Sequence, residues 1–399
     1  MTKKTEKKIK VLYLARWYPN RFDPMPGLFI QRHAEAAAKY CQVGVVYTHD
    51  KNDKPGKLFD AEFSVVNGIP TAKVYYNNPK HNIPFISNLI KACRFLKANF
   101  IGIKKISKEM GGFDLVHVHI LTRLGVIALF YKIFQNKPYI ITEHWSRYLP
   151  VTGTYSGFFR KLATKWVVKN AAVVTTVTQN LAIAMQNRGL KNKNYRVLAN
   201  VVDEQFYLAD INKTHKVQKT LIHVSCFEDR SKNITGMLRA ISSLSKKRND
   251  FILKLVGDGM DFQAMKDYAN KLDISSERLV FTGLLEGKSL VKEMSMADLL
   301  LVFSNYENFP VVINESFVLG IPVLATRVGG IPEFVNENNG MLVNSGDETA
   351  FEKALNDFLD NKLHFNNSQI QQDSKRAFSP ETIGEELKNI YKNVLGSIK

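Results

Sequence analysis

Twice along this chain, short β-rich runs alternate with helical stretches, and that repetition constrains the fold more than any other feature. In the first half the runs are "IKVLYLA", "QVGVVYT", "TAKVYY", "FDLVHVH", "KPYIIT", "AAVVTTV" and "YRVLAN", with helical patterns such as 29–40 and 121–134 between them. Near-continuous apolar strands suit a parallel sheet covered on both faces. A polar segment, "YLADINKTHKVQKT", then breaks the pattern. It lacks residues able to build a core, which predicts a domain boundary near 207–219. The alternation restarts with "TLIHVSC", "FILKLVG", "RLVFTG", "DLLLVFS" and "IPVLAT". The expectation is an α/β chain of two doubly wound Rossmann-like domains, 1–207 and 208–378, facing a cleft. A C-terminal helix within 379–399 follows and can cross back to the first domain. The 399 residues accommodate this at roughly 100–200 residues per domain.

Lys and Arg outnumber Asp and Glu by 55 to 37, a formal charge of +18. That excess favours anionic partners: nucleotides, phospholipid surfaces or nucleic acid. No reading helix, zinc finger or RNP-like aromatic strand stands out, so nucleic acid is not expected as a partner. Cys41, Cys93 and Cys226 have no metal-like spacing and cannot all pair, which fits a reducing, cytoplasmic compartment. The basic start "MTKKTEKKIK" leads into an apolar run too short for a signal-peptide core and reads as a solvated tail. No window approaches the roughly 18 apolar residues of a spanning helix. Two basic amphipathic stretches, "NIPFISNLIKACRFLKANFIGIKKISK" and "SGFFRKLATKWVVKN", are either core-packed helices with solvated lysines or surfaces that touch the inner face of an anionic membrane.

Ligands of doubly wound folds bind at the carboxyl ends of the strands, which draws attention to "ENFPVVINE", residues 307–315. The strand "DLLLVFS" ends near Ser304, and Pro310 fits the first position of a helix stopping at Gly320. Phe309 then occupies the N-cap slot, where it offers no side-chain acceptor. The amides of Val311 and Val312 are left as free donors at the positive end of the helix dipole, a site for phosphate. Glu307 precedes that site and Glu315 lies on the helix beyond it, so each carboxylate can accept hydrogen bonds from one sugar of a diphosphate-linked ligand. The blander reading makes Glu307 an exposed turn residue and Glu315 a solvated helix residue.

This segment resembles the retaining glycosyltransferases of family four, which have the two-Rossmann-domain GT-B architecture. Their signature is Glu, seven residues, Glu, then "G-x-P-V" and "G-G-x-x-E". Here it is carried by Glu307, Glu315, Gly320 with Pro322 and Val323, and Gly329, Gly330 and Glu333. "YPNRFDPMPGLFIQRH" looks like the first-strand loop that reaches the donor diphosphate, with Gly27 matching a loop glycine and Pro26 standing where a second glycine is common. "FDLVHVH" looks like the strand-end His-x-His. "LANVVDEQFY" is similar to the hinge pattern, with Asn200 and Asp203 kept and Val201 replacing glycine. "HVSCFEDRSKNI" is similar to the phosphate loop: Lys232 matches its lysine, and Cys226 stands where an arginine is usual. Either Arg230 takes over that contact, or binding relies on Lys232 and the helix amides.

The resemblance implies a hexosyltransferase that moves sugar from a nucleotide-diphosphate donor, with retention of configuration, to a glycan or lipid-linked acceptor in cell-surface polysaccharide synthesis. It implies no required cofactor and no metal. Glu307 and His119 would contact the transferred sugar, Glu315 the ribose, and Gly27, Lys232, Arg230, Phe309, Val311 and Val312 the remainder of the donor. His117, on the same strand face as His119, and His144 are further candidates, as is Asn200. Strand histidines are also commonly satisfied core groups, and a zinc site would need a third ligand that no spacing reveals. "LVGDGMD" holds a lone G-x-G, too little for a dinucleotide fingerprint. An epimerase or phosphorylase of the same architecture, or a non-catalytic nucleotide-sugar or polyanion-binding protein, are the competing readings.

Overall fold

The computed structural model describes residues 8–51, 57–78, 84–121, 123–209 and 218–397. The expected solvated tail (1–7), most of the polar boundary segment (210–217) and the start of the first basic stretch (82–83) lie outside the described residues. The chain divides into two compact units: Met1–Val177 with Ala182–Val201 and Pro380–Lys399, and Thr178–Leu181 with Val202–Ser379. In this division the first unit's middle segment ends at Val201 and the second unit's main segment begins at Val202.

The first unit is built on an eight-stranded sheet. Its strands are β1 (Lys10–Ala15), β2 (Gln42–Asp50), β3 (Phe59–Val66), β4 (Ile69–Tyr76), β5 (Leu115–His119), β6 (Tyr139–Glu143), β7 (Val173–Thr176) and β8 (Tyr195–Val197), in the order β3-β4-β2-β1-β5-β6-β7-β8. All pairings are parallel except β3 with β4. The edge strand β3 was not anticipated. Its signal is the Asn67-Gly68 pair, which turns the hairpin with positive φ at both residues. β5 and β6 are buried along their whole length, as strands covered on both faces should be.

The last helix, Pro380–Gly396, belongs to this first unit. Ile383, Leu387, Ile390 and Val394 enter its core. Tyr391 Oη meets Tyr13 Oη at 2.7 Å. Gly384 permits the approach, because a Cβ there would stand 2.2 Å from the Ala36 carbonyl oxygen.

The second unit carries six parallel strands, β9 (Lys219–Val224), β10 (Phe251–Val256), β11 (Leu279–Gly283), β12 (Leu299–Val302), β13 (Val323–Thr326) and β14 (Gly340–Val343), in the order β11-β10-β9-β12-β13-β14. β14 is short and was also not anticipated. The glycines of "LVGDGMD" have a packing role: Gly257 sits at φ 133°, where a Cβ would stand 1.9 Å from the Ser225 carbonyl oxygen. The close approach of two strand-end loops accounts for this pair.

Candidate active site

In the second sheet the strand order reverses between β9 and β12, the position where doubly wound sheets open a crevice. Two loops leave the carboxyl ends there. Ser225 to Lys232 follows β9, and Phe303 to Pro310 follows β12. Asn305 joins them, its N–H donating to Ser231 O at 2.8 Å and its Nδ2 to Arg230 O at 3.1 Å. Thr326 Oγ1, at the end of β13, donates to Ser304 O at 2.6 Å and holds the second loop from the other side.

This framework brings Lys232 Nζ to 2.5 Å from Glu307 Oε1, and Ser304 Oγ donates to the same oxygen at 2.9 Å. Glu307 Oε2 has no partner among the described residues. The two side chains are only 16% and 11% exposed. Burial alone would lower the Lys232 ammonium, but the Glu307 carboxylate, with Cys226 and Glu228, more than offsets it and holds the group above its ordinary value. Desolvating an ion pair costs about as much as the pair returns, so such a pair is weak evidence of a stabilising device. An ammonium with three donors and a carboxylate with a spare oxygen are better suited to a ligand.

The helix after Glu307 runs Val311–Val318. Pro310 is its N-cap, at φ −72° and ψ 125°, so the expected placement at the first helical position is corrected by one residue: that ψ is extended, not helical. No side chain caps the helix, and the amides of Val311 and Val312 stand at its start. Phe309 is buried, its ring stacked on Phe334 at 4.0 Å, so the ring is committed to packing. Glu315 is 6% exposed, which rules out a solvated helix carboxylate. Arg230 is exposed and has no ion-pair partner among the described residues. Cys226 is likewise exposed.

The glycine pair behind this loop is sterically required. Gly329 has φ 55°, and a Cβ on it would lie 1.8 Å from the Glu307 carbonyl oxygen. A Cβ on Gly330 would lie 2.2 Å from Thr178 Cγ2, and its N–H donates to Asn308 O at 2.8 Å. Glu333 accepts the N–H groups of Gln179 and Asn180 at 2.6 and 2.7 Å. The second part of the motif therefore buttresses the backbone that carries Glu307.

In the first sheet the order reverses between β1 and β5, where Ala15 pairs with His119. Here four histidines gather. His117 is buried with both ring nitrogens engaged, Nδ1 by Tyr391 Oη at 2.8 Å and Nε2 by Thr142 Oγ1 at 2.6 Å. It is a core network residue. His119 Nδ1 lies 3.4 Å from His144 Nε2, and His119 Nε2 is buried without a partner. Asn200, buried beside them, is a side-chain partner of His144. The reading from sequence missed His33, whose ring is 5.9 Å from His119 and 5.3 Å from His144. It ends the quoted loop "YPNRFDPMPGLFIQRH", one helical turn beyond Phe29, whose carbonyl it bonds at 2.8 Å. Burial lowers all four imidazoles from their ordinary value and keeps them neutral at pH 7. Gly27 caps the helix Leu28–Ala38 at φ 79°, where a Cβ would be 2.3 Å from the Trp17 carbonyl. Among the described residues no three His, Cys, Asp or Glu side chains are grouped to hold a metal ion.

Residues 208–376 match the family described as Glycosyl transferases group 1, and residues 29–206 match Glycosyltransferase Family 4. The chain is 27% identical over 293 residues to the N-acetyl-alpha-D-glucosaminyl L-malate synthase of Bacillus anthracis, covering 71% of this chain and 75% of that one. It is 26% identical over 213 residues to the lipopolysaccharide 1,6-galactosyltransferase of Escherichia coli, covering 51% and 58%. The fold is that of Anabaena HepE in complex with UDP-glucose, with a TM-score of 0.68 at 17% identity over 96% of this chain and 100% of that one. The chain belongs to the group 1, family four glycosyltransferases and has their GT-B fold of two Rossmann-like domains.

Proposed function

We propose that this glycosyltransferase moves a hexose from a nucleotide-diphosphate sugar to a glycan or lipid-linked acceptor, with retention of anomeric configuration, in the synthesis of a surface polysaccharide. The observation that carries the donor side is the Lys232–Glu307 pair at the β9/β12 switch point, beside the uncapped start of Val311–Val318. Breaking the sugar–phosphate bond puts negative charge on the leaving diphosphate and positive charge on the sugar carbon. Lys232 and the amides of Val311 and Val312 receive the first. Glu307, through its spare oxygen, stabilises the second. Arg230 supplies the cation that Cys226 does not, and Glu315 takes the ribose hydroxyls. Phe309 contributes backbone, and Gly27 lets its loop pack closely. His119, a neutral imidazole with a free nitrogen, hydrogen-bonds sugar hydroxyls, with Asn200 and His144 positioning it. No metal or organic cofactor takes part in this reading.

The acceptor side has support on the surface of the first unit. The helix Phe158–Asn170 exposes Phe158 and Phe159 at 75% and 82%, with Leu162 and Trp166, between Arg160, Lys161, Lys165 and Lys169. It packs on Leu124–Gln135 through Gly125, and that helix exposes Phe130, Ile133 and Phe134. Aromatic groups interleaved with cations fit the interface of an anionic bilayer. No helix among the described residues is long and apolar enough to cross a membrane. The reading is therefore peripheral attachment at the inner face.

Because a UDP-sugar is bound in the HepE structure, UDP-glucose is the donor to try first. The experiment incubates the protein with labelled UDP-hexoses and membrane extract, then reads the anomeric NMR coupling of the product. Transfer with the donor's anomeric configuration is expected. Inversion would overturn the retaining assignment, and binding without turnover would favour a nucleotide-sugar-binding protein.

A further inference from the structure

The carboxyl ends of β1, β2, β4, β5 and β6 border a cavity of about 550 Å³ within the first unit. Arg16 directly follows β1, Asp50 ends β2, Tyr76 ends β4, Leu121 follows β5 and Arg147 lies beyond β6. Five cations line the walls, Arg16, Lys91, Arg123, Arg147 and Arg160, against the single carboxylate of Asp50, which accepts a hydrogen bond from Asn78. None of the five has a carboxylate at ion-pair distance among the described residues. Arginines that serve the fold look different: Arg21 grips Asp60 and Glu62, and Arg248 grips Asp250 and Asp360.

Two of the four guanidiniums lie against aromatic rings rather than carboxylates. Arg147 lies 3.6 Å over the Trp145 ring, and Arg123 lies 5.8 Å over Phe95. Stacking fixes a guanidinium plane and leaves its N–H edge for a ligand. Arg147 Nε is buried with no partner. Burial lowers the hold of Arg147 on its proton, and Arg160 and Arg16 push the same way. Glu143, at the end of β6, is committed elsewhere: Oε2 accepts from Leu121 N at 2.7 Å, and Oε1 from His144 N and Trp145 N at 3.0 and 2.8 Å. The helix Leu124–Gln135 adds an N-terminus with no side-chain cap, Arg123 being its N-cap. Converging like charges are costly unless a counter-anion joins them, and planar guanidinium forks match phosphate oxygens bidentately.

We propose that this cavity binds the phosphate or diphosphate group of the acceptor substrate. The inference rests on the glycosyltransferase reading above and supplies the acceptor's chemistry. The group can come from a lipid-linked headgroup or from a water-soluble phosphorylated acceptor. Arg160 points the first way, since it shares its helix with the exposed Phe158, Phe159 and Trp166.

The donor site also attracts diphosphate, so the test uses the full-length Lys232→Ala chain. Calorimetric titration with inorganic pyrophosphate is expected to show binding that survives Lys232→Ala. It should weaken about tenfold for each guanidinium removed by Arg16→Gln and Arg160→Gln, with Arg160→Lys restoring part of it. Both arginines are exposed, and circular dichroism verifies folding. Pyrophosphate binding that vanishes with Lys232→Ala, or ignores the arginine variants, overturns the proposal. A parallel titration with UDP-glucose isolates the donor reading, which fails if Lys232→Ala leaves that affinity untouched. Flotation with zwitterionic vesicles carrying a polyprenyl diphosphate then assigns the source: headgroup-dependent, arginine-dependent binding means a lipid acceptor, and pyrophosphate binding without it means a soluble one.

Discussion

Glu307 and Lys232 touch each other yet should fail differently when changed. Glu307→Gln keeps the shape and removes the charge that the proposed mechanism sets against the sugar carbon. Turnover should fall about 100-fold or more, with UDP-hexose affinity changed little, as read by transfer assay and calorimetry. Lys232→Ala removes the ammonium proposed to meet the diphosphate and should weaken donor binding about 10–100-fold. Equal loss of affinity in both variants would contradict the division of roles. Titration supplies a second residue-scale test. Burial holds His33, His117, His119, His144 and His223 below their ordinary value, His223 down to about 4. The unfolded chain therefore binds more protons than the folded one below pH 6.5, and their stabilisation is lost as pH falls. Glu143 works in the opposite sense. Burial pushes its carboxyl up to about 7, so its contribution is full below the ordinary carboxylate value and is lost as pH rises to about 7. Five groups outweigh one, and the melting temperature should drop between pH 7 and 5. In Glu143→Gln the drop should steepen by about 1.4 kcal/mol per pH unit; a shallower slope by thermal melting would refute the assignment.

At the scale of elements, the turn carrying Glu307 is set by what presses on it. Gly329→Ala places a methyl 1.8 Å from the Glu307 carbonyl oxygen at a φ of 55°. The turn must shift, and a displacement near 1 Å costs about 100-fold in rate. Folding should survive, so reduced turnover with a near-normal melting curve is the expected result. The helix Phe158–Asn170 offers a separate test, because its aromatic groups Phe158, Phe159 and Trp166 are all mostly exposed. Phe159→Glu with Trp166→Glu should abolish salt-sensitive flotation with anionic liposomes and leave the melting temperature within about 2 °C. Unchanged flotation would show that this face does not meet the bilayer.

For the whole molecule, the last twenty residues matter more than their position suggests. Ile383, Leu387, Ile390 and Val394 are buried in the first unit's core. At about 1.5–3 kcal/mol each, they contribute roughly 6–12 kcal/mol, comparable with the entire stability of an ordinary domain. Truncation after Ser379 should also strip Tyr391 from Tyr13 and His117. The shortened chain is expected to be insoluble or to lose the first unit's cooperative melting transition in calorimetry. A soluble truncation with both transitions intact would show that this helix is dispensable.

Much of this was legible in the chain itself, where a feature is local. The period of apolar residues announced the parallel strands and the two-part architecture, because pleat and helix geometry impose those periods on any sequence that forms them. The spacing of Glu307, Glu315 and the later glycines marked the loop after β12 and the glycine pair packed behind it. The edge strand β3 escaped because it is largely exposed and so lacks an apolar run, although Asn67-Gly68 did mark its hairpin, and β14 escaped because four residues carry little pattern. Pro310 was misplaced by one position because proline's fixed φ suits both the N-cap and the first helical turn, and only ψ distinguishes them. Contacts between distant segments belong to the tertiary structure alone. Lys232 meets Glu307 across 75 positions, Tyr391 meets His117 across 274, and five cations from separate strand ends and helices line one cavity. No local propensity encodes such meetings. Strand order brings them together, and burial then sets the charge each group carries.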